Sequence, residues 1–141
     1  MDLQLKGKRA IVTGASRGVG RAVALALAKE GTDLGVVAGH LDGAAQTAAA
    51  CEAFGVRAVP LAADFADVSS VTAVMEQARV ALGEMDILIN NAGIFLQGWC
   101  QDITLDDWQR TLDVNLTGLF ARLSILLKLI SRPGAAGALS M

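Results

Sequence analysis

Thr13-Gly14-Ala15-Ser16-Arg17-Gly18-Val19-Gly20 sets three glycines at G-x-x-x-G-x-G spacing between a short apolar run, Arg9 to Val12, and a helix-like stretch, Arg21 to Glu30. A glycine turn leading from a strand into a helix has the makings of a phosphate cradle, because the helix start offers unpaired N–H groups and partial positive charge. Gly14 permits a tight exit from the strand, Gly18 lets backbone approach a ligand, and Gly20 lets the helix pack closely against the sheet. Glycines also mark ordinary strand-to-helix turns, so the motif alone leaves both readings open.

Three further stretches carry polar groups at ordered places. Asp64 follows an apolar run, Asn90-Asn91-Ala92-Gly93 follows another, and Asp113-Val114-Asn115-Leu116-Thr117-Gly118 lies inside a long helical pattern. Asp64 also suits the plain task of capping the loop after it, and Asn115 that of bonding its own helical turn. Cys51 and Cys100 lack metal-ligand spacing and read as buried or incidental thiols. The chain contains no tyrosine.

The elements that must position these groups alternate. Apolar runs at Arg9 to Thr13, Leu34 to Ala38, Val56 to Ala62 and Met85 to Asn90 read as strands, with no polar alternation because helices cover both sheet faces. Between them, Val19, Val23, Leu27 and several alanines predict one buried helix face, with Gly31 as its stop. An alanine-rich helix over Gly43 to Phe54 ends at Gly55. Val68, Val71, Val74, Met75, Ala78 and Leu82 recur at helical spacing up to Gly83. A last long helix starts at Thr104, paired with Asp107 as in a capping box. It carries Trp108, Leu112, Leu116, Leu119, Leu123 and Leu126 and stops before Pro133. This order predicts an α/β protein with a doubly wound parallel sheet of Rossmann type, incomplete, with four strong strands and a weak fifth near the end.

At 141 residues and 53% apolar composition the chain is expected to form a single domain over 1–141 with an ample core. Twelve basic against fourteen acidic residues, with no block of like charge, speak against a nucleic-acid or membrane-surface partner. The start lacks a signal-peptide core, and Leu116 to Ile130 is interrupted by Arg122 and Lys128, so a cytoplasmic protein is expected.

With the glycine turn, the ordered set of Asp64, Asn90 to Gly93 and Asp113 to Gly118 resembles the short-chain dehydrogenase/reductase family over about residues 5–130. The resemblance implies that Gly14, Ser16, Gly18 and Val19 line a dinucleotide's phosphates and adenosine ribose, with Gly20 completing the turn. It implies that Asp64 bonds the adenine amino group, and that Asn90, Ala92 and Gly93 stabilise the sheet and lie along the nicotinamide half. Asn115 would correspond to the helix asparagine of the catalytic tetrad, which holds a proton-relaying water. The family's serine falls near Ser140, a weak match, and its Tyr-x-x-x-Lys pair has no counterpart in this sequence.

Cofactor choice depends on the end of the second strand. Ala38, Gly39, His40 and Leu41 offer no acidic group for ribose hydroxyls, and Asp42 comes late. Arg17 carries a fork of donors suited to a 2′-phosphate, and His40 either assists it or is a solvated loop residue. NADP(H) is therefore expected over NAD(H).

Two functional readings stand. One is an NADP-dependent alcohol/carbonyl oxidoreductase, present as an N-terminal portion that needs a C-terminal half to act on its substrate. The other is a dinucleotide-binding module without chemistry, with a truncation product as its bland variant. Phe95 and Trp99 either wall a substrate pocket or cap the core edge. A weak fifth strand leaves a sheet edge and apolar surface uncovered, which predicts self-association. Sedimentation velocity tests this: mass growing with concentration is expected, and a clean monomer at high concentration overturns it.

Overall fold

The computed structural model describes residues 2–130. Four parallel strands, β1 (Arg9–Thr13), β2 (Asp33–Ala38), β3 (Ala58–Ala62) and β4 (Ile87–Ile89), form one sheet in the order β3-β2-β1-β4. Helices α1 (Gly18–Lys29), α2 (Leu41–Glu52) and α3 (Val68–Leu82) connect successive strands, and α4 (Leu105–Leu112) and α5 (Gly118–Ile130) follow β4. This is the Rossmann-type α/β arrangement expected from the sequence. The weak fifth strand and Ser140 lie outside the described residues. Among those described, β4 pairs with β1 alone, so the sheet edge falls on β4. Pro60 lies in β3, the opposite edge, where a strand tolerates a missing donor.

Successive residues of β1 serve opposite faces. Ala10 and Val12 join Leu34, Val36, Ala24, Ala28, Ala44 and Ala48 in one core, under α1 and α2. Ile11 joins Val37, Val71, Met75, Ala78, Ala121 and Leu126 in the other, under α3 and α5. That is the two-residue period of a strand covered on both sides.

Several expected core positions are corrected. Val19 is 71% exposed, and the buried face of α1 is made by Gly20, Ala24 and Ala28. Small side chains let the helix axis approach the sheet, and the valine is left over the glycine turn. Val68 is also exposed, at the open first turn of α3. The expected long helix is broken: a π-helical turn, Asp113–Thr117, separates α4 from α5. Val114, Ala121 and Leu126 are buried, while Trp108, Leu116 and Leu123, expected on the apolar stripe, are exposed.

Helix starts differ in a way that bears on function. The Asp67 carboxylate accepts from the Ser69 amide at 2.9 Å and caps α3, while Thr104 and Asp107 close a reciprocal box on α4. Arg17 and His40, at the starts of α1 and α2, provide no side-chain cap.

The Ser69 hydroxyl and amide hold the Asp67 carboxyl below the usual carboxylate range, and Thr104 does the same for Asp107. A folded-state pKa below the unfolded value, about 3.9, gives stabilisation that is present above that pH and lost as pH falls through the folded pKa. Asp67→Asn should therefore lower the unfolding midpoint near neutrality, with the gap from wild type closing below about pH 4. A gap that stays constant in thermal melts down to acid pH would count against this.

Candidate functional site

All four strands run the same way, so the loops that leave their C-terminal ends gather along one edge of the sheet. The order β3-β2-β1-β4 places the reversal of strand order between β1 and β4, where doubly wound folds open a crevice for ligands.

The glycine turn is held there by groups far away in sequence. Thr13, 1% exposed, donates its hydroxyl to the Ile89 carbonyl at 3.2 Å and accepts from the amides of Asn91 at 3.2 Å and Ala92 at 3.1 Å. One donor and two acceptor sites are the full capacity of a hydroxyl. The Asn91 carboxamide donates to the carbonyls of Thr13 at 3.1 Å and Gly14 at 3.2 Å. On the other side the Ala15 amide bonds the Val37 carbonyl at 3.0 Å, tying the turn to β2.

Gly14 takes φ +66°, and a Cβ there would lie 2.9 Å from Ala92 Cα. Gly20 excludes a side chain for a different reason, since its Cβ would be driven into the Gly14 carbonyl and the Asn91 amide. The third glycine of the motif thus packs the helix against the exit of β1. Gly43 plays the matching part on α2: a Cβ there would come 2.7 Å from Ser16 Cβ, so α2 approaches the turn closely.

The start of α1 suits an anion. Arg21 N–H bonds the Arg17 carbonyl at 3.2 Å, while the amides of Gly18, Val19 and Gly20 before it have no acceptor among the described residues. The first turn holds no acidic residue, and Ser16 to Val19 reach the surface. A capped helix such as α3 spends these donors on its own side chains; α1 keeps them, with Arg17 beside them. A dinucleotide's pyrophosphate fits such a donor set.

The other expected residues fall along the same edge. Asp64 follows β3, exposed, with one carboxylate oxygen accepting from the Ala66 amide at 2.9 Å in an Asx turn. The loop-capping reading therefore holds for that oxygen, and the second oxygen makes no such bond among the described residues. His40 follows β2. The side chains of Arg17 and His40 make no hydrogen bond or ion pair among the described residues, and both are exposed. Asn115 lies in the π-helical turn and bonds Ile94, not its own helix: Oδ1 accepts from the Ile94 amide at 2.8 Å, and Nδ2 donates to its carbonyl at 2.9 Å. Gly93 is close beneath, where a Cβ would sit 3.2 Å from Asn115 Oδ1. Asn90 turns its Oδ1 to Arg122 Nε at 2.7 Å.

Sequence reasoning missed Asn91 and Thr13 as the clamp on the turn, although both stand in the motifs. It also missed Arg122, which reads in sequence only as an interruption of an apolar run. The π-helical turn has no sequence signal of its own. Among the described residues no helix is long and apolar enough to cross a membrane, and no three His, Cys, Asp or Glu side chains are placed to hold a metal ion. Cys51 is buried, which pushes its thiol pKa up; Cys100 is exposed.

A family model for the short chain dehydrogenase matches residues 8–138, and the chain belongs to this family. L-rhamnose 1-dehydrogenase (NAD(P)(+)) of Sphingomonas sp. (strain SKA58) is 35% identical over 136 residues, covering 96% of this chain and 54% of the relative. Glucose 1-dehydrogenase 2 of Bacillus subtilis (strain 168) is 38% identical over 123 residues, covering 85% and 47%. Among solved structures, a short chain dehydrogenase from Burkholderia cenocepacia J2315 in complex with NADP superposes with a TM-score of 0.85 at 41% identity, covering 88% of this chain and 51% of that one. The chain spans about half the length of these relatives.

The clamp makes a direct prediction. Thr13→Val keeps the side-chain shape and leaves the partly buried Ala92 amide without its acceptor, while the Asn91 amide keeps the Ile89 carbonyl at 3.1 Å, so it should cost about 1–3 kcal/mol in urea unfolding. A midpoint equal to wild type would show that the lacing of β1 to β4 is dispensable.

Proposed function

We propose that residues 1–141 form one dinucleotide-binding domain of an alcohol/carbonyl oxidoreductase that takes NADP(H) in preference to NAD(H). The observation that carries this reading is the uncapped start of α1, its free amides held in place by the Thr13 and Asn91 clamp. Gly14, Ser16, Gly18, Val19 and Gly20 hold the phosphates, Asp64 the adenine, and Asn90, Ala92 and Gly93 the side of the site next to β4. A bound nicotinamide supplies hydride exchange with a substrate carbon. Asn115, both ends of its carboxamide engaged by Ile94, keeps the loop after β4 in position against the π-helical turn.

Arg17 supports the choice of NADP(H). It stands exposed at the start of α1 with a guanidinium that pairs with no carboxylate among the described residues, and the end of β2 presents no acidic side chain before Asp42. A 2′-phosphate meets a fork of donors there. His40, first residue before α2, lies at the same strand end. The proposal includes a cytoplasmic setting and association of copies through the open sheet edge. Tyrosine is absent from the 141 residues, so the Tyr-x-x-x-Lys pair that the family resemblance implies is not among them.

Calorimetric titration with NADPH and NADH tests the reading. Saturable binding with NADPH tighter is expected, and Arg17→Ala should weaken NADPH by roughly tenfold or more while moving NADH little. Equal weakening of both overturns the preference, and absence of any binding overturns the cofactor reading. Binding without alcohol oxidation or carbonyl reduction is expected of these residues alone; turnover by them would overturn that division of labour.

A further inference from the structure

Arg122 is the largest fully buried side chain among the described residues, 1% exposed. Its Nε donates to Asn90 Oδ1 at 2.7 Å, and its Cζ lies 5.3 Å from the centre of the Phe65 ring. Nη1 and Nη2 find no hydrogen-bond partner among the described residues, and burial draws the guanidinium pKa below its ordinary value. No carboxylate among those residues pairs with it. A buried cation with most of its donors idle costs stability, and a methionine of similar reach would fill the same space more cheaply. The helix also makes room for it. Gly118, one turn earlier, lies where a Cβ would be 3.3 Å from Nη1 and would strike the Phe65 carbonyl.

What the guanidinium does that an apolar chain would not is fix a direction. Arginine only donates, so the Asn90 carboxamide must present Oδ1 to it and keep Nδ2 as its free donor. Nδ2 makes no hydrogen bond among the described residues. Asn90 is the first residue after β4, directly before the amides that hold Thr13; Phe65 is the first residue after Asp64. The strands behind these two loops, β3 and β4, are the outermost of the four and do not touch through the sheet. One side chain from α5 thus touches both loops.

We propose that Arg122 is a positioning residue of the dinucleotide site, which orients the Asn90 carboxamide as a donor to the cofactor and holds the Phe65 loop that carries Asp64. The proposal rests on the dinucleotide reading above. It separates stability from binding, since the residue works against one and for the other.

The test uses the full chain and NADPH, with thermal melts beside calorimetry. Arg122→Met should leave the unfolding midpoint unchanged or raised, yet weaken NADPH about tenfold, the size of one lost charge-assisted bond. In an Asn90→Ala background the same change should weaken NADPH less than about twofold, because the route through Asn90 is already cut. Arg122→Lys keeps a donor for Asn90 without the planar face over Phe65 and should recover part of the loss. Wild-type affinity in Arg122→Met overturns the proposal. So does a lowered midpoint with binding lost in both Arg122→Met and Arg122→Lys, the pattern of a purely structural role. A tenfold loss repeated in the Asn90→Ala background overturns the route through Asn90. A wild-type chain that binds no NADPH is a different result: it removes the cofactor reading first, and this proposal with it.

Discussion

The Thr13 hydroxyl and the Asn91 carboxamide lace the exit of β1 to the exit of β4, and the shape of the glycine turn depends on that lacing. Between them they engage two carbonyls of the turn, one carbonyl of β4 and two amides after it. A glycine-rich segment has little intrinsic preference for any one path, since its backbone has more freedom to lose than any other. Here the freedom is removed by partners 76 to 79 positions away. The bonds are partly shielded from water, which keeps an unmade bond expensive and the arrangement unique.

The same economy of space runs through the packing. Gly20 and Gly43 bring α1 and α2 to the turn at distances that a methyl group would not allow, and alanines at 24, 28, 44 and 48 carry that closeness along both helices. The opposite face, under α3 and α5, uses larger side chains, Ile11, Val71, Met75 and Leu126. Helix capping follows the same division: α3 and α4 satisfy their first amides with Asp67, Thr104 and Asp107, while α1 holds its own in reserve.

The π-helical turn at Asp113–Thr117 marks a second junction. An extra residue in the turn swings Asn115 out of the helix's own bonding pattern and onto the backbone of Ile94, 21 positions earlier. The start of the loop after β4 is thereby pinned twice, by Thr13 at Asn91 and Ala92 and by Asn115 at Ile94. Trp108, before the break, and Leu116, within it, both lie exposed.

Local physics was legible in the residues alone. Apolar runs between glycines announced four strands, the Thr104 and Asp107 pair announced a helix start, and the spacing of Gly14, Gly18 and Gly20 announced a tight turn from strand into helix. Each of these follows from interactions within a few positions, where spacing and side-chain type decide the outcome. Tertiary structure decided the rest: that Asn91 clamps the turn, that Asn115 bonds Ile94, that Val19 is exposed, and that Arg122 lies buried against Asn90 and Phe65. These pairs are 21 to 78 positions apart or turn on a single extra residue in a helix. Their energies depend on which donors and acceptors the closed fold brings within about 3 Å and away from water. A linear pattern records which groups a chain carries, and only the folded chain determines which of them are left to one another.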